Sequence, residues 1–406
     1  MTTVRPSSGT RCLAALAASA LLAATAPPAA ASDALGRVLA MPKASLLMEE
    51  AGRDVISRQP DRPMIPASTM KILTALAAIQ RWGLDHRFHT DFHRTADGWL
   101  WVKGQGDPYL VSEELDLVVA ALKRLGLRSV AGIGVDDSRF VPDVEIAGRS
   151  ATDNPYDAPV TALAVNFNTI NVVRTRDGVR SAEPQTPLTP LARQLAQSLG
   201  PGTHRVNLKE RELALRYAGE LLAAKLVAAG LPVGGGLSSG SVPGDAERIL
   251  RHHNSRALGA VLLSMLEYSN NFIANDLFLL LGDDGDGQPL SMAKAQRAAG
   301  ARVEKAFGWR DYRIEDGAGL SPGNRLSARQ LLDVVKAFSP HRELLPTQNG
   351  RVCAKTGTLT GVSAYAGFVK RDAGWAPFSL LINQSVPNAL RLDVADELAG
   401  TPRGLR

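Results

Sequence analysis

The sequence predicts an α+β protein in which a domain of helices and antiparallel strands is interrupted by an inserted, mostly β domain. Three observations carry this reading. The 37 glycines and 24 prolines are spread along 406 residues, so the chain turns often, which fits mixed α and β structure better than a helical bundle. Strand-like alternation is concentrated between residues 87 and 208 and returns after 350, with helical texture on either side. The length is enough for a sizeable core and more than one domain.

The first segment reads as a processing signal. Arg5 and Arg11 form a positive start, CLAALAASALLAATA (12–26) is a short apolar run, and PPAAASD offers an Ala-x-Ala site ending at Ala31. A membrane anchor needs about 20 apolar residues, and this run stops at Pro27-Pro28. Cleavage after Ala31 is expected, which makes residues 1–31 a signal peptide and the mature protein exported. Peripheral contact with a membrane stays open. Cys12 leaves with the signal, so the mature chain keeps Cys353 alone and has no internal disulfide.

After the signal, ALGRVLAMPKASLLMEEAGRDVISRQPDRPMIPAS suggests two short strands joined by EEAGRD, followed by a proline-bounded entry to a helix over 68–82. HRFHTDFHRTADGWLWVKGQGDPYL alternates around the hairpin turn Ala96-Asp97-Gly98. A helix over 112–126, the strand VAGIGVDDSRF and the strand VNFNTINVVRTRDG follow; 181–205 looks like loop. Helical texture resumes at 211–229, 254–282 and 291–306. The stretch from Val352 reads as two or three antiparallel strands turning near Thr360-Gly361 and Arg371-Asp372, and 387–399 closes as a helix. The domains are therefore 32–86 with 209–406, and the insertion 87–208.

Net charge is +6, yet no basic stripe with interleaved aromatics occurs. Nucleic acid is excluded as a partner on that ground.

The chemistry begins in PASTMKILTALAAI (66–79). Ser68 and Lys71 are three apart and share a helix face, at the head of a run that is apolar but for Thr74. A lysine there either snorkels outward or sits desolvated beside the hydroxyl as its base. Taken alone, Ser68 is also a good helix cap. Two further elements change the weighing. YSNNFIAN (268–275) places Ser269 and Asn271 at the start of an apolar helix, and CAKTGTLTG (353–361) places Lys355, Thr356 and Gly357 at the start of a strand. Ser-x-x-Lys, Ser-x-Asn and Lys-Thr-Gly in this order are the element set of penicillin-interacting serine enzymes.

With those motifs, and with GQGDPYL (104–110), DDSRF (136–140), NPYDAPVTALAVNFN (154–168) and DGAGLSPGNRLS (316–327), the chain resembles the class C low-molecular-mass penicillin-binding proteins. These are the D-alanyl-D-alanine carboxypeptidase/endopeptidase group. The resemblance runs from about residue 33 to 385. It implies a β-lactamase/transpeptidase-like domain, an antiparallel sheet covered by helices with a helical subdomain, and an inserted domain. It further implies that Ser68 attacks the D-Ala-D-Ala carbonyl with Lys71 as base, and that Ser269 relays a proton to the leaving amine. Asn271, Lys355, Thr356 and Gly357 would bind substrate, Lys355 and Thr356 through its terminal carboxylate. The backbone N–H groups of Ser68 and Thr358 would form the oxyanion hole. The expected partners are peptidoglycan stem peptides and β-lactams, with no cofactor. A β-lactamase on the same fold and a non-catalytic penicillin-binding sensor are the alternatives.

Some residues point elsewhere. His86, His89 and His93 raise a zinc site, but no Cys or acidic cluster completes a ligand set, and no metal is expected. Asp136 and Asp137 fit the close of a turn better than a contact to substrate. Relatives that read diaminopimelate are expected to carry Arg and Gln where Pro322 and Thr360 stand here. Cys353, two residues before Lys355, reads as a small buried residue.

Overall fold

The computed structural model describes residues 33–400; the expected signal peptide, 1–31, lies outside them. Helix α1 (Ala34–Ala40) is capped by the Asp33 side chain, and the Glu397 carboxylate accepts from the Ala34 and Leu35 N–H groups. Its shortness leaves little periodic signal in the sequence. Strands β1 (Ala44–Glu50) and β2 (Arg53–Arg58) form the expected hairpin. A 3₁₀ turn at Ala67–Thr69 leads into α2 (Met70–Trp82). Residues Met70 to Ala78 of α2 are all buried, because a helix that is apolar on most faces must be enclosed.

The insertion follows with β3 (His89–Arg94), β4 (Leu100–Gly104), α3 (Ser112–Arg124), β5 (Ile133–Asp136), β6 (Thr169–Thr175), β7 (Gly178–Ser181), α4 (Pro190–Ala196) and β8 (Gly202–Asn207). Then come α5 (Arg211–Ala228), β9 (Leu237–Ser239) and β10 (Glu247–His253). The loop-like reading of 181–205 does not hold. Thr189 caps α4 by accepting from Ala192 N–H, with Pro190 in the first turn, a helix start buried in a polar, proline-rich stretch. The sequence boundary at 208 also differs from the packing. Tyr217, Leu221, Leu222 and Leu226 of α5 share a core with Phe92, Val102 and Val135, while β9 and β10 complete the sheet β10-β3-β4-β5-β9. A helix pattern shows that one face is apolar but not which sheet it covers. The insertion is correspondingly less β than expected: α3, α4 and α5 enclose it, and β5 pairs in parallel with β4 and β9.

Helices α6 (Leu258–Glu267), α7 (Asn271–Leu281), α8 (Met292–Phe307) and α9 (Ala328–Ala337) precede the strands β11 (Thr347–Gln348), β12 (Val352–Leu359), β13 (Val362–Arg371) and β14 (Gly374–Ile382), and α10 (Ala389–Leu398) closes the chain. The main sheet has the order β11-β12-β13-β14-β1-β2 and is antiparallel throughout. One face packs on α2, α6, α7 and α9, the other on α1 and α10. Alternation along β12 sends Cys353, Lys355 and Gly357 toward the first face and Ala354, Thr356 and Thr358 toward the second. β11 pairs only with Val352 and Cys353, so the outer edge of β12 from Lys355 onward is open beside the head of α2. Among the described residues no helix is long and apolar enough to cross a membrane.

Candidate active site

Ser68 sits in the 3₁₀ turn, half-buried. Ala67 before it adopts φ +47°, a left-handed conformation that costs a non-glycine residue energy and therefore depends on its surroundings. Thr69 Oγ1 donates to the Pro66 carbonyl at 2.7 Å, and the Asn383 side chain ties Ile65 through both its N–H and its carbonyl. Ser68 is not a helix cap; its hydroxyl faces Lys71.

Lys71 is fully buried and does not snorkel. Its Nζ lies 2.7 Å from Asn271 Oδ1, 2.8 Å from the Ala318 carbonyl and 3.1 Å from Ser68 Oγ. The first two partners only accept, so they take two N–H bonds. A neutral amine has no third, and its lone pair then faces the Ser68 hydroxyl. Desolvation holds the Lys71 pKa well below the ordinary lysine range, the charge of Lys355 lowers it further, and Asp316 partly offsets this.

The Ala318 carbonyl owes its position to a network the sequence motifs did not reveal. Buried Asp316 accepts from the N–H groups of Ala318, Leu320 and Ser321 and from Asn324 Nδ2. Asn275, one turn after Asn271 on α7, accepts from Gly317 and Ala318, and Thr74 donates to the Gly317 carbonyl. DGAGLS thus forms a rigid bracket behind Lys71. In the sequence it shows as part of the stretch DGAGLSPGNRLS (316–327), with nothing to say that it packs behind Lys71.

Asn271 is oriented by the Tyr156 carbonyl, 3.2 Å from Nδ2. Ser269 has φ +52° and lies half-buried between α6 and α7. Asn270, not Ser269, caps α7, and among the described residues Ser269 makes no hydrogen bond to Lys71. Lys355 is 2 % exposed, donates to the Thr356 carbonyl at 3.1 Å, and has its pKa pushed down to about 8 by burial first and Arg391 second, with Glu267 opposing. Gly357 lies against the Ser68 turn: a Cβ there would sit 2.8 Å from the Pro66 carbonyl and 3.0 Å from Ser68 N. The strand carrying Thr358 and the backbone of Ser68 are therefore neighbours. Thr356 is half-buried and Thr358 exposed on the open edge.

Several of the residues set aside in the sequence have local partners. Asp136 accepts from Ser138 and Val242 N–H, and Asp137 is ion-paired with Arg211; both anchor turns of the insertion. Asp91 is held by Arg251 through two bonds, at 2.7 and 2.9 Å, and His89 packs near His253.

A serine beside a desolvated lysine, a second lysine on an open strand edge and an antiparallel sheet backed by helices together define a penicillin-interacting serine enzyme. The comparisons with known proteins agree. The chain belongs to the D-Ala-D-Ala carboxypeptidase 3 (S13) family, whose model matches residues 45–199, 203–346 and 342–402. It is 27 % identical to the D-alanyl-D-alanine carboxypeptidase of Actinomadura sp. strain R39 over 86 % of this chain and 78 % of that protein. It is 24 % identical to D-alanyl-D-alanine carboxypeptidase DacB of Haemophilus influenzae, over 77 % and 78 %. The crystal structure of penicillin binding protein 4 from H. influenzae superposes with a TM-score of 0.74 at 20 % identity, covering 91 % of this chain and 99 % of that one. The chain is thus a serine peptidase of the low-molecular-mass penicillin-binding protein group.

Proposed function

We propose that Ser68 hydrolyses the terminal D-Ala-D-Ala bond of peptidoglycan stem peptides through an acyl-enzyme. The observation that carries this reading is Lys71, whose two non-donating acceptors aim its third position at Ser68 Oγ. Lys71 takes the hydroxyl proton as Oγ bonds to the carbonyl carbon. The oxyanion forms between the N–H groups of Ser68 and Thr358. Collapse breaks the C–N bond, and the proton passes from Lys71 through Ser269 to the leaving D-alanine amine. Water, deprotonated by Lys71, then releases the shortened peptide and restores Ser68. Lys355 and Thr356 hold the terminal carboxylate, while Asn271 and the open edge of β12 hold the peptide.

A cross-linked stem presents the same acyl group with a different leaving amine, so endopeptidase cleavage needs no further machinery. A β-lactam acylates Ser68 and keeps its leaving group tethered. Export follows from the signal-like residues 1–31 and matches a cell-wall substrate.

The test is intact mass of the mature protein and of Ser68→Ala after incubation with a fluorescent penicillin, with D-alanine release from a pentapeptide measured in parallel. A lasting adduct on the wild type alone, together with D-alanine release, supports the reading. Rapid loss of antibiotic with a transient adduct would make the protein a β-lactamase, and an adduct without peptide turnover would make it a sensor.

A further inference from the structure

Arg391, on α10, is 8 % exposed, and burying a guanidinium is costly unless something compensates it. Its Nη1 donates to the Gly357 carbonyl at 2.8 Å and to Thr358 Oγ1 at 2.7 Å, with Ser363 Oγ at 3.5 Å. Its Nε is buried without a hydrogen-bond partner among the described residues. Among those residues no carboxylate pairs with it, and it lies behind the strand from whose other face Lys355 projects.

We propose that Arg391 is a positioning residue for recognition of the substrate's terminal carboxylate, acting through Gly357 and Thr358. The argument is one of hydrogen-bond accounting. A threonine oxygen that accepts from a guanidinium must point its own O–H elsewhere. Thr358 is exposed at the open edge of β12, so that hydrogen is left for an acceptor that comes to the edge. Arg391 also fixes the Gly357 carbonyl, and with it the line of the strand that supplies the Thr358 N–H. Lys355 and Arg391 then place positive potential on both sides of one strand, a field that an incoming carboxylate neutralises. Arg391 is the second cause of the lowered Lys355 pKa, which is the electrostatic trace of the same proximity.

This rests on the proposed DD-peptidase reading, so the experiment separates the two. Hydrolysis of a peptide ending in D-Ala-D-Ala is compared with that of the same peptide bearing a carboxyl-terminal amide, for wild type, Arg391→Gln and Arg391→Lys, over a range of pH. Wild type is expected to favour the free acid. Arg391→Gln should lose about 10–100-fold in kcat/KM on the acid, the range for a charge-assisted contact, mainly through KM, and less than about 3-fold on the amide. Its alkaline limb should move upward, because Lys355 regains affinity for its proton. Arg391→Lys keeps a charge without the fork: it should leave the limb near its wild-type position and recover only part of the acid preference. Equal losses on acid and amide with an unmoved limb would overturn the proposal and leave Arg391 a packing residue. A wild type that releases no D-alanine from the free acid would overturn the peptidase reading, and this proposal with it.

Discussion

Asn271 holds Lys71 more tightly than Ser68 does: Oδ1 lies 2.7 Å from Nζ, against 3.1 Å to Ser68 Oγ. An amide oxygen at that place fixes where the amine's hydrogens go without adding negative charge. Asn271→Asp is nearly isosteric but puts a carboxylate beside Nζ, raising the Lys71 pKa and keeping it protonated. Acylation by penicillin should fall at least about 100-fold at neutral pH, in the range of a lost general base, and recover in part as pH rises. Stopped-flow adduct formation from pH 6 to 10 checks this; a pH-independent loss would mean that Asn271 acts on substrate alone.

The two lysines predict a bell-shaped profile for substrates with a free carboxylate. Activity rises as Lys71, held low by burial and Lys355, loses its proton. It falls as Lys355, pushed down to about 8, loses the charge that binds carboxylate. The limbs belong to the coupled pair rather than to either group alone. Lys355→Arg keeps the charge at all accessible pH, so its falling limb should vanish. A limb that stays near pH 8 in that variant would assign it to another group.

Much of this was legible in the sequence because the motifs are contiguous. Ser68 with Lys71, Ser269 with Asn271, and Lys355 with Thr356 and Gly357 each lie within one turn or one short strand, so local spacing fixes their relative placement. The β12–β13–β14 meander was readable from its alternation and turns. What escaped depends on long-range packing. Asn275 and Asp316 meet across 41 residues of chain only through the Gly317 and Ala318 backbone, and Arg391 reaches β12 from a short helix whose pattern marks no distinct apolar face. Helix α9 has no counterpart among the predicted elements, although Ser327 and Gln330 form a capping box.

Gly357 and Gly319 should fail in different ways. A Cβ on Gly357 meets the Pro66 carbonyl at 2.8 Å and Ser68 N at 3.0 Å, and an edge strand can move outward to relieve that. Gly357→Ala should slow acylation about 100-fold, as misplacing reacting groups by an ångström does, with little change in melting temperature. Gly319 has φ +77° and a Cβ there would overlap the Ala67 carbonyl oxygen inside the packed bracket, where nothing can yield. Gly319→Ala should destabilise by about 2–4 kcal/mol. Thermal melts and adduct rates on both variants decide the matter; a stable, inactive Gly319→Ala would show that the bracket can shift.

Asp276, on the α7 face away from Lys71, is fully buried, and neither carboxyl oxygen has a hydrogen-bond partner among the described residues. Burial raises its pKa well above the ordinary value, and the charge of Asp107 raises it further. Asp107 is itself raised to about 6 by burial, although Asn254 and the Tyr109 N–H oppose this. A carboxyl whose folded pKa is raised contributes fully below its unfolded value, near 3.9, and loses that contribution as pH climbs through the folded value. Both groups therefore weaken the fold as pH rises above the unfolded value, and the loss due to Asp107 is complete once pH has passed about 6. Asp276→Asn removes the charge without changing shape. It should stabilise the protein by about 1–3 kcal/mol at pH 8 and by little at pH 5, as read from urea melts at the two values. Equal gains at both would mean that Asp276 is already ionised in the folded protein at pH 5, so that burial does not raise its pKa.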